Sequence, residues 1–517
     1  MWHVVLTTAT SQRGLDWTTM ASAAPTSVEP SNKTSGTRAR SKTIGLIAGP
    51  LVSLAIYLLL TVTEADLPPA GRGVAAVAGL MAVWWMTEAL PFAATALLPL
   101  LLFPLLAITD FDTAATPYAN DTIFLFLGGF MLAAAMQRWN LHVRIALHIV
   151  SLMGTKPTRI IGGFMIASAF ITMWVSNSAT TMMMIPIGLS VLGLTERSGA
   201  TDRNFGICMV LCIAYAATIG GMASTIGAAP NAMLAAFLGE SFGVQVTFLD
   251  WFLMMFPVVV VFLVLAWALM TKVVFPIGTT TLPGGRELIE QQRRDLGPMS
   301  RGERRTLVVF AAGALSWVVF PLLAQTGLVE HAPWLEHLTD AAIAIALIVT
   351  LFVVPADREH RLLTWDDTKN VPWGVLLLFG GGLSLSAQFK ETGLGAWIAE
   401  LFGSLNGAAL IVVVAVMALV VILVGELMSN TAAAALFLPV AAGIAVAMGI
   451  EPVILPVAIT MAASVGFILP VATPPNAIAF ATGKVTTGQM AKAGALLDIC
   501  GLVLICIAVH ITVPLVL

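Results

Sequence analysis

From residue 44 onward the chain alternates apolar runs with short polar breaks. No water is available inside a bilayer to satisfy the backbone, so runs of this kind must close their hydrogen bonds internally as helices. Hydrophobic residues make up 58% of the 517 and charged residues 10%, against about a quarter charged in a soluble domain. The expected fold is an all-α polytopic membrane protein. Spans are expected near 44–62, 73–87, 91–107, 121–137, 206–238, 251–271, 306–324, 341–355, 372–387, 456–482 and 494–515. A net charge of -3 gives no electrostatic reason to bind nucleic acid. Cys208, Cys212, Cys500 and Cys506 lie in or beside apolar segments and form neither a zinc pattern nor a secreted disulfide framework. They read as small apolar side chains.

Two further apolar runs, 160–194 and 409–440, carry polar phrases at membrane depth. Ser176-Asn177-Ser178 follows Met173-Trp174-Val175, and Ser429-Asn430-Thr431 follows Glu426-Leu427-Met428. Each is followed by a second broken phrase, Gly227-Ala228-Ala229-Pro230-Asn231 in the first case and Thr473-Pro474-Pro475-Asn476 in the second. Amides, hydroxyls, Gly and Pro are costly at this depth unless they line a cavity. Each run is short for two full spans of about 20 residues plus a turn, so both are expected to be re-entrant hairpins.

The phrases belong to a duplication. Phe126-Leu127-Gly128-Gly129 matches Leu378-Phe379-Gly380-Gly381 at an offset of 252. Asn177 matches Asn430 at 253, and Asn231 matches Asn476 at 245. With the N-terminus inside and the hairpins returning to their own side, all 25 Lys and Arg except Arg72 and Lys390 fall inside. The loop 108–120 has no Lys or Arg, while its partner 356–371 carries Arg358, Arg361 and Lys369. The first hairpin therefore enters from inside and the second from outside, giving two inverted repeats. The expected organisation is a disordered inner-face tail over 1–42, scaffold helices and the first repeat over 43–275, a cytoplasmic linker over 276–305 and the second repeat over 306–517. An organellar transit peptide is the alternative for the tail, and Met20 the alternative start.

This layout predicts chemistry. A helix starting at a hairpin tip offers free N–H groups and the positive end of its dipole, which suit a carboxylate or sulfate. A helix ending there offers carbonyls, which suit Na⁺. Asn can ligate a cation through its oxygen and donate to an oxyanion through its NH₂. Two tips facing two unwound segments, at Gly227 and Pro474, give one oxyanion site between two cation sites. Ser, Asn and Thr can also simply join helices, but two matched phrases, each with a matched break, favour a site. Glu88 and Glu426 read as structural hydrogen-bonding carboxylates, with proton coupling as the alternative. Gly380-Gly381-Gly382 lacks the Lys-Ser/Thr of a phosphate loop and reads as helix packing. His142 and His148 fall on a stretch, 137–156, that reads as an interfacial amphipathic helix. No catalytic dyad stands at membrane depth, so no enzyme is expected, and a channel has no need of paired closed hairpins.

The chain resembles the divalent anion/sodium symporter family, whose members carry dicarboxylates, citrate or sulfate. The resemblance rests on Trp85-Met86-Thr87-Glu88-Ala89-Leu90-Pro91, on Met173 to Thr181, on Ser429-Asn430-Thr431, and on Pro470-Val471-Ala472-Thr473-Pro474-Pro475-Asn476-Ala477-Ile478. It runs from about residue 44 to the end. It implies about eleven transmembrane helices plus two hairpins, a homodimer, and an elevator movement of a transport domain against a scaffold; the expected location is the plasma (inner) membrane, with the N-terminus cytoplasmic as the Lys/Arg distribution has it. It places a first sodium site at Ser176 and Asn177 with backbone of Thr172 and Gly227. A second falls at Asn430 with backbone of Gly425, Met428 and Ala472. Substrate contacts fall on Asn177, Ser178, Ser429, Asn430, Thr431, Thr473 and Pro474. Ser178 stands where the family usually has Thr. The expected function is sodium-coupled uptake of a divalent anion, foremost a C4-dicarboxylate such as succinate, with Na⁺ as coupling ion. The alternatives are sulfate or citrate transport, or sodium-independent dicarboxylate exchange.

Overall fold

A computed structural model describes residues 32–154, 156–197, 203–278, 285–324, 326, 332–401 and 409–516. Their regular structure is helical, apart from one isolated bridge between Pro355 and Arg361. Helix α1 (Asn32–Val62) begins well before the expected span, so the last part of the expected tail is helical. The rest of that tail, 1–31, lies outside the described residues. Helix α2 (Pro69–Thr87) packs along α1. The expected single span at 91–107 is instead two short helices, α3 (Phe92–Thr95) and α4 (Leu98–Leu105). Pro91 precedes the first, and Pro99 opens the second near its N-terminus, where a missing N–H costs least. Helix α5 (Phe111–Ala115) and a 3-10 turn then meet α6 (Asp121–Arg138) at a bend of 40°. Asn120 caps α6 by accepting from the Thr122 N–H at 3.0 Å.

The first half continues with α7 (Leu141–Leu152), α8 (Pro157–Thr172), α9 (Asn177–Arg197), α10 (Arg203–Gly221), α11 (Ala229–Phe242) and α12 (Phe248–Ala268). The expected linker contains a helix, α13 (Gly285–Asp295), before α14 (Arg301–Ala324) and α15 (Asp340–Val353). The second half then repeats the first. It runs through α16 (Trp373–Glu391), α17 (Leu394–Leu401), α18 (Leu410–Gly425), α19 (Asn430–Ala447), α20 (Ile454–Ala463), α21 (Pro474–Ala481) and α22 (Thr487–Ile511), with a last turn α23 (Val513–Val516). The order α6 to α12 is matched element by element by α16 to α22.

The match extends to local stereochemistry. Helices α12 and α22 both open with a Thr capping box, Thr247 with Asp250 and Thr486 with Gln489. Helices α11 and α21 both begin with Pro in the first turn, after a residue in extended backbone: Ala228 at φ -142° and Thr473 at φ -136°. The breaks at 222–228 and 464–473 therefore end in the same way.

Six described helices are long and apolar enough to cross a bilayer alone, or seven if the bent pair counts as one. Other apolar helices, among them α8, α15, α18 and α20, are shorter. Helix α15 has 14 residues, about 21 Å at about 1.5 Å per residue, against a hydrocarbon core of about 30 Å. Helix α10 is buried along its length and packs against α8, α9 and α21. Helices α1, α12, α14 and α22 present exposed Leu, Val and Ile outward, including Leu59, Val264, Leu315 and Ile507. Apolar surface turned outward around a buried centre is the arrangement lipid selects.

Candidate substrate and cation site

The runs 160–194 and 409–440 each hold two helices in contact across a short tip. Helices α8 and α9 flank a tip at Met173–Ser176, and α18 and α19 flank a tip at Glu426–Ser429. Both tip helices pack across the halves: α9 lies on α21, and α19 lies on α11. Each tip helix therefore meets the helix that follows the other half's break.

At the first tip, Asn177 opens α9. Its Oδ1 accepts from the Thr172 hydroxyl at 2.5 Å, and its carbonyl accepts from the Thr181 hydroxyl at 2.8 Å. The resemblance implied Thr172 through its backbone; the structure brings its side chain onto Asn177. A Cβ placed on Gly221 would lie 2.6 Å from Asn177 Oδ1 and 3.1 Å from the Gly227 carbonyl oxygen. The amide oxygen of Asn177 and that carbonyl thus converge over Gly221, where only a glycine leaves room. Ser176 is exposed beside them, its Oγ 3.4 Å from the Ala179 N–H. Tip and break are tied by the Ser224 hydroxyl, which donates to the Met173 carbonyl. Trp174 stacks on Phe248 at 5.7 Å and meets Phe310 edge-on at 4.9 Å, anchoring this tip to α12 and α14.

At the second tip, Ser429 precedes α19 in extended backbone and makes no side-chain cap. The side chains of Ser178, Ser429, Asn430 and Thr431 are half-buried and have no hydrogen-bond partner among the described residues. Polar groups at helix N-termini that remain open in this way are suited to a ligand. Gly425 and Met428 are buried at the tip, and Ala472 is buried at the break. A Cβ on Gly466 would lie 3.6 Å from the Ala472 side chain and 3.7 Å from Glu426 Oε1. The spacing of six residues is the same as between Gly221 and Gly227, but here the methyl of Ala472 faces the glycine where the first break has the Gly227 carbonyl oxygen. Thr473 is 3% exposed and its hydroxyl caps α21 by accepting from the Asn476 N–H at 3.3 Å. Pro474 beside it is exposed.

Glu426 does what a structural carboxylate should. Buried to 4% exposure, it accepts from the Ile468 N–H at 2.9 Å and the Leu469 N–H at 2.8 Å. Asp498 on α22 accepts from the adjacent Phe467 N–H at 3.2 Å. Tyr215 on α10 donates to the Phe467 carbonyl at 3.1 Å. Three consecutive N–H groups freed by the break are satisfied by side chains. Glu88 departs from the expectation: it caps α2 through its backbone in the left-handed region at φ 50°, and its carboxylate has no partner among the described residues. Sequence reasoning missed Asp498 and Tyr215, although a lone Asp in the apolar run 494–515 was a signal. His142 is buried on α7 with Nδ1 2.9 Å from the Met136 carbonyl, in keeping with a structural histidine. The glycine run at 380–382 lies inside α16, and a Cβ on Gly381 would come 2.3 Å from the Ala96 carbonyl, as helix packing requires.

No Lys or Arg occurs between Thr172 and Thr181 or between Gly425 and Thr431. The tips themselves offer an anion only N–H groups, hydroxyls and amides.

The chain is 40% identical over 480 residues to the sodium-dependent dicarboxylate transporter SdcS of Staphylococcus saprophyticus, with 91% of each chain covered. It is 40% identical over 483 residues to the SdcS of Staphylococcus aureus strain USA300, with 92% of each covered. Among solved structures, the YdaH transporter of Alcanivorax borkumensis superposes with a TM-score of 0.56 at 14% identity, covering 84% of this chain and 98% of that one. MtrF of Neisseria gonorrhoeae superposes with a TM-score of 0.53 at 14% identity, covering 77% and 83%. These two speak for the fold alone. Residues 41–517 match the family described as the sodium:sulfate symporter transmembrane region. With its paired tips, its paired breaks and this match over nearly all of the described residues, the chain belongs to the sodium:sulfate symporter family of integral, multi-pass membrane transport proteins.

Proposed function

We propose that this protein is a secondary active transporter that couples entry of Na⁺ to uptake of a divalent anion, foremost a C4-dicarboxylate such as succinate. The observation that carries this reading is the convergence of Asn177 Oδ1 and the Gly227 carbonyl over Gly221, together with open polar groups at Ser178, Ser429, Asn430 and Thr431. The first set offers oxygens to a cation. The second offers N–H and O–H groups to an oxyanion at the starts of α9 and α19. The names of the staphylococcal relatives support sodium and a dicarboxylate as cargo.

Sodium ions would sit at Ser176, Asn177, Thr172 and Gly227 in the first half, and at Asn430, Gly425, Met428 and Ala472 in the second. The dianion would lie between, against Asn177, Ser178, Ser429, Asn430, Thr431 and the Thr473–Pro474 turn. Charge sets the order of events. A dianion facing no Lys or Arg gains little until Na⁺ is bound, so sodium enters first and supplies the positive field. With both aboard the charge is screened, and the tip-bearing part can move against the rest as an elevator. The matched order of α6 to α12 and α16 to α22, with the opposite loop charges, supports inverted repeats about a central site. The assembly we infer is a homodimer in the inner membrane with its N-terminus inside. Sulfate and citrate are the rival cargoes. Counterflow decides among them: proteoliposomes preloaded with unlabelled succinate, citrate or sulfate in Na⁺ take up labelled succinate. Succinate should drive the exchange best. Equal or better drive by sulfate would overturn the dicarboxylate reading.

A further inference from the structure

Two carboxylates from distant parts of the chain meet at the second break. Glu426 opens the second tip and is 4% exposed, and Asp498 on α22 is 5% exposed. The two carboxyl groups lie within hydrogen-bonding reach of each other. Nothing cationic stands beside them among the described residues. Helix α22 packs on α12, α18 and α20, and none of these three carries Lys, Arg or His. Lys272, beyond the end of α12, lies over the Trp267 ring. Lys492 on α22 itself is exposed and more than a turn away. Asp250 is held in the capping box of α12. The titratable groups that do face Asp498 are Glu426 and Tyr215, with Cys212 behind the tyrosine.

Two ionised carboxylates side by side in a buried space are costly unless something positive lies between them. The acceptors around the pair show what that is. Glu426 accepts from the Ile468 and Leu469 N–H groups, and Asp498 Oδ1 accepts from the Phe467 N–H. The carbonyls of Gly466 and Leu469 are engaged by Asn476, and that of Phe467 by Tyr215. One oxygen is left over: Asp498 Oδ2 is buried and has no hydrogen-bond partner among the described residues. A metal cation needs several oxygens around it. One free oxygen facing a carboxylate suits a proton, because a protonated carboxyl donates and the carboxylate has lone pairs to spare. The arrangement belongs to the second half alone. Met173 opens the first tip where Glu426 opens the second. Asp498 lies twelve residues after the capping Thr486, and Val259 lies twelve after Thr247.

We propose that Asp498 holds a proton on Oδ2 and donates it to Glu426, so that one acid–carboxylate hydrogen bond joins α22 to the second tip over the second break. Asp498 is then a positioning residue. It stands outside the cation and substrate sets and acts through Glu426, whose oxygens hold the N–H groups of Ile468 and Leu469. Removing the proton sets two like charges against each other and drives the tip from the break. Stability supplied by the protonated acid is present at low pH and is lost as pH rises. The proposal rests on the geometry of the break and not on the identity of the cargo.

The test is infrared spectroscopy of the purified full-length protein in detergent at neutral pH, with thermal unfolding followed from neutral to alkaline pH. The wild type should show the C=O band of a protonated carboxylic acid, shifted in D₂O and lost at alkaline pH. Asp498→Asn should lack that band. Its amide NH₂ donates to Glu426 without a proton to lose, so its Tm should stay level over the range in which the wild-type Tm falls. The wild-type band and its alkaline loss decide the matter even where Asp498→Asn fails to fold. Absence of the band in the wild type, its persistence in Asp498→Asn, or a parallel alkaline fall of Tm in both proteins would overturn the proposal. A band that is present in K⁺ and disappears in Na⁺ would also overturn it and place a cation between the carboxylates.

Discussion

Asn231 and Asn476 make the same pair of bonds. Asn231 Nδ2 donates to the carbonyl ten residues back, Gly221, at 2.9 Å, and to the one seven back, Ser224, at 2.8 Å. Asn476 Nδ2 donates to Gly466, ten back, at 3.1 Å and to Leu469, seven back, at 3.0 Å. Each amide bridges the two sides of its break and fixes the shape over which the tip closes. Both side chains are buried and turned into the break, so they belong to the frame of the site and not to its contact surface.

Replacing either amide should therefore be a stability change first. Asn476→Ala leaves the buried Gly466 carbonyl and the part-buried Leu469 carbonyl without their donor, a loss of about 3 kcal/mol. Thermal unfolding in detergent should show a clear drop in Tm, and Asn231→Ala a similar one. An unchanged Tm in both would mean the breaks hold their shape by other means.

Gly221→Ala should act on the cation instead. Its Cβ would lie 2.6 Å from Asn177 Oδ1, so the amide must turn away from the Gly227 carbonyl. The sodium concentration for half-maximal uptake should rise about tenfold, with the protein still folded. A sodium dependence equal to wild type would argue that the two oxygens do not share an ion.

The two conspicuous glutamates should behave differently. In Glu426→Gln, one of the two N–H groups at 468 and 469 faces an amide NH₂, at a cost of about 1–3 kcal/mol, and uptake should fall steeply. Glu88→Gln should stay near wild type, because the Glu88 carboxylate has no partner to lose among the described residues. Parallel uptake and melting measurements on both variants check this. Similar losses in the two would contradict the division of roles.

Ser178→Thr adds one methyl at a half-buried, unpartnered position of the first tip. The added methyl narrows the space beside the oxyanion while keeping the hydroxyl. The ratio of succinate to citrate uptake should shift several-fold, within the about 1–3 kcal/mol that one methylene confers, and the sodium dependence should not move. An unchanged ratio would place Ser178 away from the substrate.

Much of this was legible in the sequence because polar residues inside apolar runs have few tolerable explanations. The Ser-Asn phrases fell at the starts of α9 and α19, and the Gly/Pro/Asn phrases at the two breaks. What escaped was set by tertiary contact. Asp498 and Tyr215 are far from Phe467 in sequence, and only packing of α22 and α10 against the break brings them to it. The Thr172 side chain was assigned only a backbone role, since nothing in the spacing shows its hydroxyl turning back onto Asn177. The start of α1 at Asn32 was hidden because the Ser/Thr-rich stretch before residue 43 has weak helix propensity and no apolar pattern. The segment 91–107 looks like one span because its residues are almost all apolar, while Pro91 and Pro99 stand at the starts of the two short helices that replace it.

The most direct test is uptake of labelled succinate by the purified protein in liposomes, under an inward Na⁺ gradient and with K⁺ in place of Na⁺, for the wild type and for Asn177→Ala and Asn430→Ala. The account predicts uptake in the wild type with Na⁺ only, and loss of the sodium-dependent component in both variants at normal expression. Wild-type rates in either variant, or succinate uptake that proceeds in K⁺ at the Na⁺ rate, would contradict it.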